Sequence, residues 1–221
     1  MLQKYHVKIL KQALDGTFSP LALSKIAEAN VNQDRISAQI GHDEYHFDNN
    51  AFDQSHAYIE EQRALVIASL HQEDAASAWS AFGRLTHTVQ DFYAHSNYID
   101  LWLALHTNGS RPAPFNVDPV EPAVLESGAL RSGKIYYPLE VFSFIKVLKP
   151  LVLPLLPRDS HAWMNIDSPE QGFKFDYVMQ ASIQRTVLEF ERTVKGLRQD
   201  RLKLFVDKDT GKQVGRYTRV L

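Results

Sequence analysis

The stretch His87–Ser96, HTVQDFYAHS, sets a histidine, an aspartate and a second histidine at intervals of four. On an ideal helix, residues four apart advance by about 40°, so His87, Asp91 and His95 share a sector of roughly 80° over about three turns. Leu85, Val89 and Phe92 fall on a different sector, which can face a bundle. Ser80, Gly83 and Ala94 flank the polar sector with little bulk and are expected to leave it open. Two imidazoles and a carboxylate converging in this way suit a borderline divalent cation such as Zn²⁺. The central aspartate has two oxygens with which to bridge a pair of ions. The plain alternative is a His–Asp pair on a solvated helix face, worth on the order of a few tenths of a kcal/mol.

A metal site here must be built without thiolates, because the 221-residue chain has no cysteine, which also removes disulfides and cysteine nucleophiles. Nine histidines are present, and several stand where they could join the triplet. His46 lies in IGHDEYHFDNN, Asp34 ends ANVNQD, and His6 sits near the start of the chain. The net charge of −2 gives no electrostatic reason to expect nucleic acid as a structural partner, although a small nucleotide substrate stays open. The first residues, MLQKYHVKILKQAL, alternate charged and apolar positions and lack the continuous apolar core of a secretory signal.

The elements that must position these side chains read as helices. Leu2–Leu14 carries an apolar stripe, and Ser19-Pro20 is a helix start, serine capping and proline at the first helical position. Residues 30–50 are polar and irregular and read as loop or short turns, Phe52–Leu70 returns to helical spacing, and a helix begins at Asp74 and runs to about His95. Four prolines make residues 111–122 a loop. Phe173 to about Leu204 reads as one long helix with a stripe at Val178, Ile183, Val187, Phe190, Val194 and Leu197, and the tail LFVDKDTGKQVGRY as a small C-terminal β-hairpin. No repeat, low-complexity run or linker divides the chain, so the expectation is one all-α helical-bundle domain over residues 1–221.

The block GRLTHTVQDFYAHSNYID (83–100), together with EYHFDNN (44–50), resembles the signature of the HET-C-like branch of the zinc-dependent phospholipase C and P1 nuclease superfamily. YHVKILKQAL followed by SPLALSKIAEANVNQD is similar to that family's first two helices, and MNIDSP (164–169) is a weaker echo of a later block. The resemblance implies an all-α bundle holding two to three zinc ions that hydrolyse phosphate esters. It implies that His46, His87 and Asp91 hold one zinc, that Asp91 bridges to a second bound by His95, and that Asp34 orients or deprotonates the attacking water. A third zinc would take His6 and the amino terminus. The family's later histidine and carboxylate have no clean counterpart: His161 is followed at the fourth place by Asn165, and Asp100 or Asp176 with Gln180 are the alternatives.

The expected function is therefore a zinc-dependent, phospholipase C-like phosphodiesterase acting on phospholipids. The alternatives are a P1-type single-strand nuclease and a non-catalytic, zinc-binding HET-C-like interaction protein. A di-iron carboxylate bundle is hinted at by Asp53-x-x-His56 but lacks the second such pair. The apolar run VFSFIKVLKPLVLPLLP (141–157) carries two lysines and three prolines and is too short to span a bilayer. It is either a buried connection or a surface for peripheral membrane contact.

Overall fold

In a computed structural model of the chain, residues 1–35, 41–143, 145 and 147–208 are described. They form α1 (Gln3–Leu14), α2 (Pro20–Val31), α3 (Asp43–His46), α4 (Phe52–His71), α5 (Ala75–His95) and α6 (Tyr98–His106). Next come α7 (Pro122–Leu125), α8 (Leu139–Ser143), α9 (Lys149–Val152), α10 (His161–Met164), α11 (Lys174–Val194) and α12 (Gln199–Val206). No strand occurs among the described residues; three isolated bridges tie loops together. The fold is all-α.

α5 is the axis of the bundle, with α2, α4 and α11 packed round it. Its start follows from Asp74, whose carboxylate accepts from the Ser77 backbone N–H at 3.0 Å; Ser19 caps α2 in the same way, accepting from Ala22 N–H at 3.0 Å. Surrounded on all sides, α5 buries an apolar arc, Leu85, Val89 and Phe92, and a polar one, Thr86, His87, Gln90, Asp91 and His95. Gly83 sets the approach of α2. A Cβ at that position would stand 2.4 Å from the Ile26 carbonyl oxygen and 2.7 Å from Ala29 Cβ, so any side chain would push the helices apart. An aromatic cluster of Phe18, Phe82, Phe190 and Phe205 fills the end of the bundle away from the polar arc.

Three expectations are revised. Residues 173–204 are not one helix: the chain breaks after Val194, with Gly196 at φ +82°, and α12 starts at Gln199. Leu204–Val206, placed in a hairpin by sequence, close α12, and the rest of that stretch from residue 209 lies outside the described residues. Gly83 does not leave the polar sector open, because α2 fills the space its missing side chain provides.

Candidate metal centre

Asp91 stands at the centre of a buried polar cluster. One oxygen, Oδ2, lies 2.9 Å from His46 Nδ1 and 3.0 Å from His87 Nε2, and those two nitrogens are 3.2 Å apart. The other, Oδ1, accepts from the Met1 amine at 2.8 Å and lies 3.2 Å from His6 Nε2, which makes no hydrogen bond. Asp34 Oδ1 approaches His87 Nε2 at 3.7 Å, and the His6 and His87 rings stack with centroids 4.3 Å apart.

A second knot adjoins the first. His161 Nδ1 lies 2.7 Å from Asp48 Oδ1, which is 3.7 Å from His95 Nδ1; His95 Nε2 is 3.3 Å from Asp167 Oδ1 and 3.2 Å from the Met1 amine. His95 Nδ1 also lies 2.9 Å from the His46 carbonyl oxygen, so α3 and the end of α5 are held together at this point. Two groups therefore place their donor atoms within reach of a common cation: His6, Asp34, His87 and Asp91, and Asp48, His95 and His161.

Local structure explains the convergence. The α1 stripe Ile9, Leu10 and Leu14 turns His6 inward, and Gln90 fixes its other ring nitrogen at 2.7 Å. Asp34 ends a 3₁₀ turn that extends α2. After α3 the chain reverses through Phe47 and Asn49, both in the left-handed region, which brings His46 and Asp48 to the cluster from one short segment. Asn49 and Asn50 are anchored to the segment around Ser132–Ile135 by side-chain and backbone hydrogen bonds. In turn, Gly133 lies so close to His161 that a Cβ on it would meet His161 Cα at 2.5 Å.

The electrostatics are those of buried carboxylates held among an amine and imidazoles. Burial drives Asp91 toward its neutral form, but the Met1 amine, His95, His87 and His6 outweigh it and hold the carboxyl well below the usual range. Asp167 and Asp48 are lowered for like reasons, the amine acting on the first and His161 on the second. His87 is held down to about 4 by burial and is a neutral imidazole near neutral pH, the form that binds a metal. Burial opposes protonation of His161, yet Asp48 raises it to about 9. The Met1 amine is pushed up to about 11 by Asp167, Asp91 and Asp34 against the effect of burial. It stands between Asp91 and Asp167 as the cation of the cluster.

All seven residues singled out from sequence, His6, Asp34, His46, His87, Asp91, His95 and His161, are brought together here. Asp48 and Asp167 were missed as members, although each lies within a quoted block, EYHFDNN and MNIDSP. The alternatives for the later carboxylate do not join: Asp100 is exposed and paired with Lys174, and Asp176 is exposed. Asp53 and His56, the di-iron hint, are exposed as well.

The fold and this centre define an all-α domain built round a buried His/Asp cluster that could bind metal. Compared with known families, residues 5–108, just under half of the chain, match the VWA7 N-terminal domain. Over 80 residues the chain is 29% identical to von Willebrand factor A domain-containing protein 7 of Rattus norvegicus, a match covering 36% of this chain and 9% of that protein. No solved structure matches the chain.

These findings correct the sequence-based expectation of a zinc phospholipase C-like hydrolase, its P1-type nuclease alternative and the HET-C assignment. The matching family is the VWA7 N-terminal domain, and nothing points to the phospholipase C/P1 nuclease superfamily. There is a physical reason for the false lead. H-x-x-x-D-x-x-x-H on a helix records which donors face one point, and any helical bundle converging donors there can carry it. A hydrolytic metal also needs a face that substrate can reach. His6, His87 and Asp91 are fully buried, and His46, His95 and His161 nearly so. The cavity of about 360 Å³ beside Phe47, Phe92 and Tyr93 has none of the cluster residues in its wall.

Proposed function

We propose that this is a non-catalytic, zinc-binding helical domain, in which metal closes the polar half of the core and fixes α1, α3, α5 and α10 relative to one another. The observation that carries the reading is the convergence of buried donors, His6, Asp34, His87 and Asp91 in one group and Asp48, His95 and His161 in another, the ligating atoms of each group lying within 4.8 Å of one another. His46 Nδ1, His87 Nε2 and Asp91 Oδ2 stand 2.9–3.2 Å from one another. Ligands about 2.0–2.1 Å from a tetrahedral zinc would be roughly 3.3 Å apart. Near them His6 Nε2 and Asp34 Oδ2 are buried without a hydrogen bond. An unpartnered buried polar atom calls for an explanation, and a bound ion supplies one.

Imidazole nitrogens with carboxylates favour zinc over calcium or magnesium, which prefer all-oxygen shells. His6, Asp34, His87 and Asp91, with His46 beside them, would hold one ion, and Asp48, His95 and His161 a second. Residues 5–108, the part similar to the VWA7 N-terminal domain, contain all of these but His161. Zinc in such a closed setting supplies folding energy instead of an activated water.

Elemental analysis of the purified chain tests the count, and transfer of metal to a chromogenic chelator tests the setting. The expected result is two zincs per chain, released no faster than the protein unfolds. Less than one zinc per chain after zinc is supplied overturns the reading. Release within seconds from folded protein overturns its closed, structural character.

A further inference from the structure

Residues 134–160 leave the bundle and return to it at one point. Lys134 N–H donates to the Asp159 carbonyl and His161 N–H to the Lys134 carbonyl, both at 2.8 Å, forming a parallel bridge at the base. Three contacts brace that base. Tyr136 Oη–H donates to Asp159 at 2.8 Å, Ala162 N–H to the buried Glu140 carboxylate at 2.6 Å, and Trp163 Nε1–H to the Leu153 carbonyl at 3.0 Å.

Beyond the base the lobe is apolar and faces outward. Val147 is 82% exposed, Leu151 72% and Leu155 67%, with Ile145, Phe142 and Val141 also exposed. Of the fifteen large hydrophobic side chains exposed among the described residues, eight fall between Tyr137 and Leu155. Concentration of this kind marks a surface that something covers.

We infer that this lobe docks on an anionic lipid surface. Charge selects that occupant. Residues 141–158 contain Lys146, Lys149 and Arg158 and no acidic residue, in a chain whose net charge is −2. At the edges of the lobe Glu140 is buried, and Asp159 is paired with Lys134 at 2.9 Å. Shape points the same way. Pro150 and Pro154 divide the tip into α9 and a single 3₁₀ turn, so it offers no continuous helical ridge for a protein groove. A bilayer interface needs only apolar side chains with basic groups behind them. No helix among the described residues is long and apolar enough to cross a membrane, so the contact is peripheral. It stands independently of the metal reading.

The test is flotation of the full chain with vesicles of phosphatidylcholine alone and of phosphatidylcholine with phosphatidylserine. The chain should float with the anionic vesicles and remain behind with the neutral ones. Val147→Asp combined with Leu151→Asp should lower the bound fraction by on the order of ten-fold or more while leaving the helical circular dichroism unchanged. Leu21→Asp, at an exposed position on α2, should leave binding unchanged. Absence of flotation with anionic vesicles overturns the inference, as does equal flotation of the double variant. So does a concentration-dependent dimer in analytical ultracentrifugation that the same two substitutions abolish, because the face would then be self-associating.

Discussion

Asp91→Asn is the substitution that bears most directly on the buried cluster. The side chain is fully buried, with an oxygen 2.8 Å from the Met1 amine and the other 2.9 and 3.0 Å from His46 and His87. Asparagine keeps the size, removes the charge and turns one oxygen into a donor. If the amide nitrogen faces Met1, it meets an ammonium that already needs an acceptor; if it faces His46 and His87, it displaces the shared ligand of both. Breaking a buried, charge-paired group typically costs about 3–5 kcal/mol. For a chain of this length about 1 kcal/mol moves the melting temperature by roughly 2–4 °C, so the expected loss is roughly 6–20 °C. The assay is thermal melting followed by circular dichroism, with and without added zinc and with and without chelator. Wild type should melt higher with zinc and lower with chelator. The variant should melt low in all of these conditions and bind less than one zinc per chain. A variant that melts within about 2 °C of wild type and retains its zinc would refute a central, charge-bearing role for Asp91.

Two further substitutions probe the surroundings. Gly133→Ala should cost about 1–3 kcal/mol by overpacking, since its Cβ would meet His161 Cα at 2.5 Å, and should weaken zinc binding, read by chelator competition. Wild-type affinity in the alanine variant would mean that the loop yields without moving His161. Glu189→Gln should cost about 3–5 kcal/mol, because the buried carboxylate pairs with Arg63, with Arg185 at 2.7 Å and with Arg192 at 2.9 Å. Burial raises the Glu189 carboxyl, but Arg185 and Arg63 outweigh it and hold it below its ordinary value. A lowered folded pKa contributes stability that is present above the unfolded value and lost as pH falls through the folded one. The wild-type advantage in urea midpoint should therefore shrink on acidification below about pH 4, the ordinary carboxylate value; a constant gap would contradict the pairing.

Helix starts and the donor set were legible because both are written locally. Ser19-Pro20 and Asp74 announce their caps, and His87, Asp91 and His95 announce their common face. What escaped was tertiary. Gly83 reads in sequence as an open wall, whereas its small size serves the approach of α2. The break after Val194 hides inside an apolar stripe that continues to Leu197, because periodicity registers side chains and not the positive φ at Gly196. Asp48 and Asp167 gave no spacing signal, being placed by a chain reversal near Phe47 and by the segment after α10. The inferred reaction failed for another reason. Donor spacing fixes which atoms can meet at a point, but the accessibility of that point belongs to the whole fold.

Each group also joins distant parts of the chain: His6 and Asp91 stand 85 positions apart in the sequence, and Asp48 and His161 stand 113 apart. A metal held by either group would act as a cross-link across a long loop, and closing such a loop is an entropic cost that the polypeptide bears before any donor set exists. Zinc would then arrive late in folding, after the segments that carry each donor set have already met. Its influence should fall on the rate of leaving the native state and not on the rate of reaching it. A metal-free chain would fold about as fast as the loaded one and lose its structure sooner, so the cluster would function as a latch on persistence.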